Sequence, residues 1–206
     1  MGVTSNYSFP VPVATDLVKD GWDAINDLGV AVDTAMNTAL GTKKAGMVLL
    51  NTTSFSGVAS QSINDVFSAT YTNYKIIFSD LIVSTSNQNL LLRMRVGGSD
   101  LSSAIYTNQQ SLQSGTTDTT QRQVSQTSAY CGDIATADKN IIVVDIFNPF
   151  ATKTTLMIAQ GICTIDTVRQ SLISNVVGNT ISYTGFTFFP VAQNITGSVS
   201  TYGYNI

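Results

Sequence analysis

The side chains that could take part in chemistry belong to very few types in this chain. All 13 acidic residues are aspartate, and the 206 residues include neither glutamate nor histidine. Without histidine, neither a Ser/His/Asp triad nor a Cys/His pair can form. A two-carboxylate hydrolase would need a pair of aspartates, but those after residue 45 stand singly, mostly beside turn residues, where aspartate commonly caps loops. The sequence therefore predicts a protein that is not an enzyme.

The two cysteines, Cys131 and Cys163, provide neither a metal site nor a disulfide framework. There is no CxxC motif, and a zinc site would need further Cys or His ligands. Both thiols are expected to be free in a chain made in a reducing cytoplasm, with pairing as the alternative if their strands are neighbours. Asp133 and Asp138 leave a calcium site open as an alternative, without EF-hand spacing. No metal or cofactor is predicted.

Neutral polar side chains dominate the remaining chemistry. Serine, threonine, asparagine and glutamine make up 75 of the 206 residues, and eight residues are tyrosine. Such side chains form hydrogen bonds with hydroxyl groups, and tyrosine rings can stack on sugar rings. The predicted receptor or glycan contacts are Tyr106, Gln109, Gln110 and Tyr130, with Gln126 close by. The alternative for each of them is a role in solubility and turn formation.

Charge and hydropathy exclude two classes of partner. The net charge is −3 and only 11% of residues are charged, whereas nucleic-acid binding needs clustered lysine and arginine. The longest apolar runs, Met47–Leu50 and Ile141–Val144, are far shorter than the ~20 residues of a membrane span. The N-terminal residues lack the basic and apolar regions of a signal peptide. We therefore expect neither nucleic-acid binding, nor membrane insertion, nor secretion through a signal peptide.

Composition changes near residue 45, which divides the chain into two predicted regions, 1–44 and 45–206. The first region opens with SNYSFPVPVA, which is expected to be extended because Pro10 and Pro12 restrict the backbone. Thr15 or Asp16 can then cap a helix. This helix is expected to end at GTKKAG, where a glycine and two lysines are typical of a helix C-terminus.

Apolar residues of the predicted helix recur at alternating steps of four and three, which is a heptad pattern. A flank of Leu17, Ala24, Leu28, Ala31 and Ala35 widens this stripe beyond a two-stranded seam. The pattern favours helices from three copies packed around a symmetry axis; the alternative is an amphipathic helix packed on its own domain. The predicted oligomer contacts are Val18, Trp22, Ile25, Leu28, Val32 and Met36.

After residue 45 the apolar residues alternate with period two, as in NLLLRMRV, which predicts β-strands. Eight or nine such segments are separated by turn residues, and none alternates with a helix. The predicted strands are GMVLLN (46–51), VASQSINDVFSAT (58–70), YKIIFSDLIV (74–83), NLLLRMRV (89–96), IIVVDIFN (141–148), TTLMIAQGICTI (154–165), RQSLISNVV (169–177), ISYTGFTFF (181–189) and TGSVSTYGYNI (196–206). This pattern predicts a mainly β domain, an antiparallel β-sandwich with jelly-roll-like topology. YKIIFSDLIV and IIVVDIF are apolar on both faces, as expected for central strands or strands buried by another subunit. Residues 98–128 carry few large apolar side chains, so they form either a long loop or strands with little core.

The N-terminal segment FPVPVATDLVKDGWDAINDLGVAVDTAM (9–36) resembles a leader of tailed-bacteriophage fibre and minor virion proteins. In that leader a proline-containing strand runs into TDxVxDGxxAIxxLGxxVD. The runs LLNTTSFSGVASQSINDVFSATYTNYKI (49–76), LLLRMRVGGSD (90–100) and TGSVSTYGY (196–204) are similar to β-domains of such proteins, especially from marine and cyanobacterial phages.

This resemblance implies a virion structural protein, made in the host cytoplasm, usually trimeric and held to the particle by its N-terminal segment. Phe9, Pro10 and Pro12 are the attachment residues that it implies, and the partners are other tail or capsid proteins. The sequence provides no extended shaft, so we expect a short tail fibre or a receptor-binding tip. The alternatives are a capsid decoration or head fibre, and a stand-alone carbohydrate-binding module.

Overall fold

A computed structural model describes residues 2–4, 8–11, 18, 21–40, 46–136, 140–165 and 167–205. The chain divides into two compact units, Met1–Ala45 and Gly46–Ile206, one residue after the predicted boundary. The described residues of the N-terminal unit form two short strands and one helix. The C-terminal unit consists of two β-sheets.

In the N-terminal unit, strands β1 (Gly2–Val3) and β2 (Pro10–Val11) pair antiparallel, and helix α1 spans Gly21–Leu40. The pairing holds part of the predicted extended arm in a small hairpin, closed by hydrogen bonds between Thr4 and Phe9. The proposed cap residues Thr15 and Asp16, and the GTKKA part of the predicted terminal turn, lie outside the described residues.

The larger sheet of the C-terminal unit has eight antiparallel strands in the order β3-β15-β5-β11-β12-β13-β8-β9. Its strands are β3 (Val48–Val58), β5 (Asn73–Val83), β8 (Tyr106–Ser114), β9 (Thr117–Gln126), β11 (Asn140–Phe147), β12 (Thr155–Ile165), β13 (Thr167–Val177) and β15 (Ile195–Tyr204).

The smaller sheet has the order β10-β6-β14-β4, with β7 paired to β6. Its strands are β4 (Gln61–Ile63), β6 (Gln88–Val96), β7 (Ser99–Asp100), β10 (Ala129–Ile134) and β14 (Gly185–Pro190).

The strand order of the two sheets is that of a jelly roll. The order β3-β15-β5-β11 in the larger sheet and the order β4-β14-β6-β10 in the smaller sheet match the two four-stranded sheets of that fold, and the chain crosses between the sheets at eight of the twelve connections from β3 to β15. This interleaving of two Greek keys defines the jelly roll. Strands β12, β13, β8 and β9 extend the larger sheet beyond β11. Strand β10 packs against β12 and β13. The predicted antiparallel sandwich is therefore confirmed, with a four-stranded extension that the sequence did not indicate.

The core lies between the two sheets and is rich in aromatic rings. Phe188 of β14 contacts Phe55 and Phe78 of the larger sheet edge-on, with ring centroids 5.0 and 4.8 Å apart. Phe67, in the loop after β4, packs in the same way on Tyr74. Because inward side chains are almost completely buried, these contacts fix how the sheets face each other.

The structure differs from the sequence-based expectations at 58–70, at 98–128 and at 181–189, where β14 begins only at Gly185. VASQSINDVFSAT (58–70) does not form one strand, since only Gln61–Ile63 pairs with the smaller sheet and the chain then turns. Residues 98–128 are not a long loop: they form β7, β8 and β9. Strand β9 is almost wholly exposed, so the second alternative, strands with little core, describes this segment.

Candidate interaction surfaces

The outward side of the larger sheet carries exposed aliphatic side chains on three adjacent strands. Inward residues of β11, β12 and β13 are buried and alternate with outward ones. Across the strands, Ile141 is paired with Ile162, and Leu156 with Val176. We define the apolar sheet face by the exposed outward side chains of Ile141, Leu156, Ile158, Ile162, Val168, Leu172 and Val176. Gln160, Gln170 and Ser174 lie between them on the same face. Clustered exposed apolar side chains are typical of an interaction site.

The apolar sheet face is electrically neutral. Among the described outward residues of β11, β12 and β13, only Asp145 is charged. Its Oδ2 accepts a hydrogen bond of 2.7 Å from Nζ of Lys75 on the adjacent strand β5. This surface therefore fits an uncharged partner surface better than a charged one.

Helix α1 has a second exposed apolar stripe within the N-terminal unit. The helix contacts β2, and Ala24 is buried while Leu28, Ala31, Val32 and Ala35 are half-buried. The exposed residues of the predicted seam are Val18 (99%), Trp22 (69%), Ile25 (68%) and Met36 (55%). Of the predicted oligomer contacts, these four are accessible, whereas Leu28 and Val32 are partly covered within the chain.

The predicted attachment residues lie in the β1–β2 hairpin. Phe9 and Pro10 are half-buried, and Pro10 is paired with Val3. Pro12 lies outside the described residues.

A polar groove lies where the hairpin β8–β9 extends past the smaller sheet. We define the amide groove by its lining residues, Asn89, Leu91, Asn108, Gln110, Gln121, Gln123, Gln126, Ser128, Tyr130 and Val191, around about 210 Å³. Asn108 is paired with Gln123 and Gln110 with Gln121, so these side chains share one face of the hairpin. The groove thus presents a cluster of carboxamides, and none of its lining residues is acidic or basic. The Tyr130 hydroxyl stays protonated at neutral pH, because burial and the neighbouring Asp133 raise its pKa.

One acceptor of the amide groove has no partner in the protein. Asn108 is 3% exposed, and its Nδ2 donates a weak hydrogen bond to the Ser128 carbonyl, with 3.5 Å between the atoms. Its Oδ1 is buried without a hydrogen-bond partner. Most buried polar atoms are paired, and Asn108 Oδ1 is one of several buried side-chain atoms in the described residues that have no hydrogen-bond partner.

The structure brings only some of the predicted glycan contacts together. Gln110, Tyr130 and Gln126 line the amide groove. Gln109 lies on the opposite face of β8, paired with Ser174 and Arg122, because neighbouring residues of a strand point to opposite sides. Tyr106 is completely buried, and its hydroxyl donates to the Leu101 carbonyl and accepts from the Met94 amide. The prediction that Tyr106 contacts a ligand is therefore wrong, since the ring belongs to the core.

Sequence reasoning missed Asn108, Gln121 and Gln123. Alternate positions of NQQ (108–110) and TQRQ (120–123) hold carboxamides, which indicates that they share one face of a strand. That the two faces coincide follows only from the hairpin of 106–114 and 117–126.

A hydrogen-bonded cluster of three titratable side chains, Arg169, Asp133 and Tyr130, joins the two sheets. Arg169 Nη1 donates to Asp133 Oδ2 at 2.9 Å, and the Tyr130 hydroxyl donates to Asp133 Oδ1 at 2.5 Å. Nearby, Cys163 is buried and free, as is Cys131, and burial raises the pKa of these thiols to about 11 and 12. Thiols with raised pKa values are poor nucleophiles at neutral pH. Asp133 is thus held in an ion pair, and Asp138, its possible partner in a calcium site, lies outside the described residues.

No protein-family model matches the chain, and no curated protein matches it. Among the helices in the described part of the chain, none has the length and hydropathy to cross a membrane. In the same residues, no three potential metal ligands come together.

Proposed function

We propose that this protein is a non-enzymatic structural component of a bacteriophage virion, a homotrimeric short tail fibre or receptor-binding tip attached through its N-terminal segment. The observation that carries the proposal is the apolar sheet face. A single copy exposes this surface to water, and burial of apolar surface is the main favourable term in protein association.

The size of the apolar sheet face suits an interface between copies of this chain. Its three strands at ~4.8 Å spacing, each about 33 Å long, present roughly 480 Å². A standard interface buries about 800 Å² on each partner. Residues at the rim of the sheet can supply the remaining area.

The chemistry of this face also favours identical copies. Its one described charge is already neutralised by Lys75, so two such faces can meet without leaving a charge unpaired. Three copies around one axis would each bury the same face. The exposed stripe of α1 adds a second apolar contact that helices from three copies can share.

The virion assignment rests on the resemblance of residues 9–36 to phage leaders. The jelly roll agrees with it as a fold found in viral capsid and lectin domains, although fold analogy alone does not establish function. The separation into an N-terminal unit and a β unit matches the implied division between attachment and exposed domain.

Light scattering of the purified full chain tests the assembly. We expect a mass of three times 21.9 kDa, about 66 kDa, and monomers for the Ile158→Asp/Leu172→Asp double variant. Val191→Asp is the matched control, because Val191 is 61% exposed outside the apolar sheet face. Ile25→Asp tests the helix separately. A monomeric wild type, or a double variant that stays trimeric with native circular dichroism, would overturn the proposal.

Antibody labelling of intact phage particles tests the location. Labelling at the tail would support a tail fibre or receptor-binding tip. Labelling at the head alone would favour the alternative, a capsid decoration or head fibre. Particles without label would overturn the virion assignment and leave a stand-alone binding module.

A further inference from the structure

The inward face of the larger sheet changes character at the hairpin β8–β9. On β5, β11 and β12 the inward side chains are mostly apolar and buried, as for Phe78, Val144 and Met157. On β8 and β9 the corresponding positions hold Gln110 and Gln121, which are at least partly exposed. This hairpin has no counterpart in the smaller sheet, so its inward face forms one wall of an open groove.

The chemistry of the amide groove selects a neutral ligand with hydroxyl groups. Each carboxamide offers both a donor and an acceptor, which is what a sugar hydroxyl needs. None of the lining residues is acidic or basic, so an ionic ligand would lose hydration without gaining a counter-charge. Leu91 and Val191 supply apolar surface for the C–H face of a sugar ring.

Asn108 gives the groove a fixed point of recognition. Its amide nitrogen is directed to the Ser128 carbonyl, which leaves Oδ1 buried and without a donor. A ligand hydroxyl donating to this oxygen would satisfy it. Gln110 Nε2 donates to Gln121 Oε1 at 2.5 Å, so these two side chains hold each other in position beside the ligand.

The volume limits the ligand to one ring. About 210 Å³ is below the ~300–1,000 Å³ of pockets for drug-sized molecules. A single neutral monosaccharide unit at the end or side of a glycan fits this space, whereas a longer stretch would extend into solvent.

We propose that the amide groove binds one neutral sugar unit of a surface glycan, with Asn108, Gln110 and Gln121 as its hydrogen-bonding residues. This inference rests on the proposed function for its biological role, as the host-attachment site. The binding itself does not depend on assembly. Several copies in one oligomer would raise a weak single-site affinity by avidity.

The test is binding of the full chain to an array of neutral, sialylated and sulfated glycans, with methyl glycosides of neutral hexoses as soluble competitors. Gln110→Ala and Gln121→Ala are each expected to weaken binding roughly tenfold, the loss expected for about one hydrogen bond. Gln109→Ala is the matched control, because Gln109 is the adjacent residue on the other face of β8. It is expected to change binding less than twofold.

The outcomes separate this inference from the proposed function. The proposed site is supported if the protein binds neutral glycans, if Gln110→Ala weakens this binding, and if Gln109→Ala leaves it unchanged. Absence of glycan binding, binding of charged glycans alone, or equal effects of the two substitutions would overturn it. Light scattering of each variant reports the assembly independently, so a trimer without glycan binding rejects the groove alone.

Discussion

Arg169 of β13 donates a hydrogen bond from Nη1 to Oδ2 of Asp133 on β10, 2.9 Å away, and so joins the larger sheet to the smaller one. Asp133 is almost fully buried, whereas the Arg169 side chain is 31% exposed. The carboxylate also accepts a hydrogen bond from the Tyr130 hydroxyl. The hydrogen bond to Asp133 raises the pKa of Arg169 above its ordinary value. The pair anchors β10 to β13, a strand of the extension of the larger sheet.

Removing the cation of this pair should destabilise the β unit more than removing both charges. Arg169→Met leaves Asp133 buried without its counter-charge, and we expect a loss of about 3 kcal/mol in the free energy of unfolding. The Asp133→Asn/Arg169→Met double variant should recover part of it, because no buried charge remains. Urea denaturation followed by circular dichroism measures both, and an Arg169→Met protein as stable as the wild type would contradict the prediction.

Adjacent phenylalanines of β14 should differ strongly in their contribution to stability. Phe188 lies between Phe55 and Phe78 in the core, so Phe188→Ala should cost about 3–5 kcal/mol. Phe189 is half-buried on the other face, with the Arg93 guanidinium 4.6 Å from its ring centroid, so Phe189→Ala should cost only about 1 kcal/mol. Equal losses in urea denaturation would contradict the assignment of the two faces.

Gly185 should not tolerate a side chain. A Cβ there would collide with the carbonyl oxygen of Ile63 and lie 3.1 Å from Cα of Asn64, which are backbone atoms that cannot rotate away. Gly185→Ala should therefore cost about 1–3 kcal/mol through overpacking. Gly29→Ala is the contrasting variant, since nothing lies within 4 Å and alanine favours a helix by up to ~1 kcal/mol. Thermal unfolding measures both, and unchanged stability of Gly185→Ala would argue against this approach of β14 to β4.

Alkaline pH should destabilise the β unit through its two thiols. Burial raises the pKa of Cys163 from 9.0 to about 11 and that of Cys131 to about 12. Above pH 9 the unfolded chain has released protons that the folded chain still binds, so stability falls as pH rises. The thiol contribution is complete below pH 9 and is lost as pH rises toward 11 and 12, at up to about 1.4 kcal/mol per pH unit for each thiol.

Thermal unfolding between pH 8 and 11 measures this effect, with the Cys131→Ala/Cys163→Ala variant as control. The control should show a shallower decline over the same range. Identical slopes would mean that the thiols ionise equally in the folded and unfolded chains.

Periodicity predicted most of the sandwich because the central strands alternate regularly. The segments of β11, β12 and β13 were identifiable from IIVVDIFN, TTLMIAQGICTI and RQSLISNVV. YKIIFSDLIV and IIVVDIF, which form β5 and β11, were apolar on both faces, as expected for central strands or for strands buried by another subunit. Periodicity failed where packing depends on distant contacts. Phe67 is buried without belonging to a strand, and the predicted strand 181–189 begins only at Gly185, where the backbone of Ile63 approaches.

The candidate site was predictable only in part. Gln110 and Tyr130 were identified by residue type, but Tyr106 was assigned to the surface because its neighbours are polar. The Tyr106 hydroxyl is buried and forms hydrogen bonds with the backbone of Leu101 and Met94. Nothing in the sequence around Tyr106 predicts these two contacts. The opposite orientations of Gln109 and Gln110 follow from strand geometry once the hairpin is known.

The polar composition of edge strand β9 affects the risk of aggregation of a newly made, unassembled chain. An unpaired strand edge is a template for runaway intermolecular pairing, and a chain that also exposes an aliphatic face before it meets its partners is at particular risk of aggregation. Strand β9 consists of threonine, serine and glutamine with Asp118, Arg122 and a single aliphatic residue, Val124. Polar and charged side chains on an edge strand disfavour pairing with another strand. We therefore expect β9 to hinder edge-to-edge aggregation of single copies and to leave the apolar sheet face as the surface for the proposed assembly.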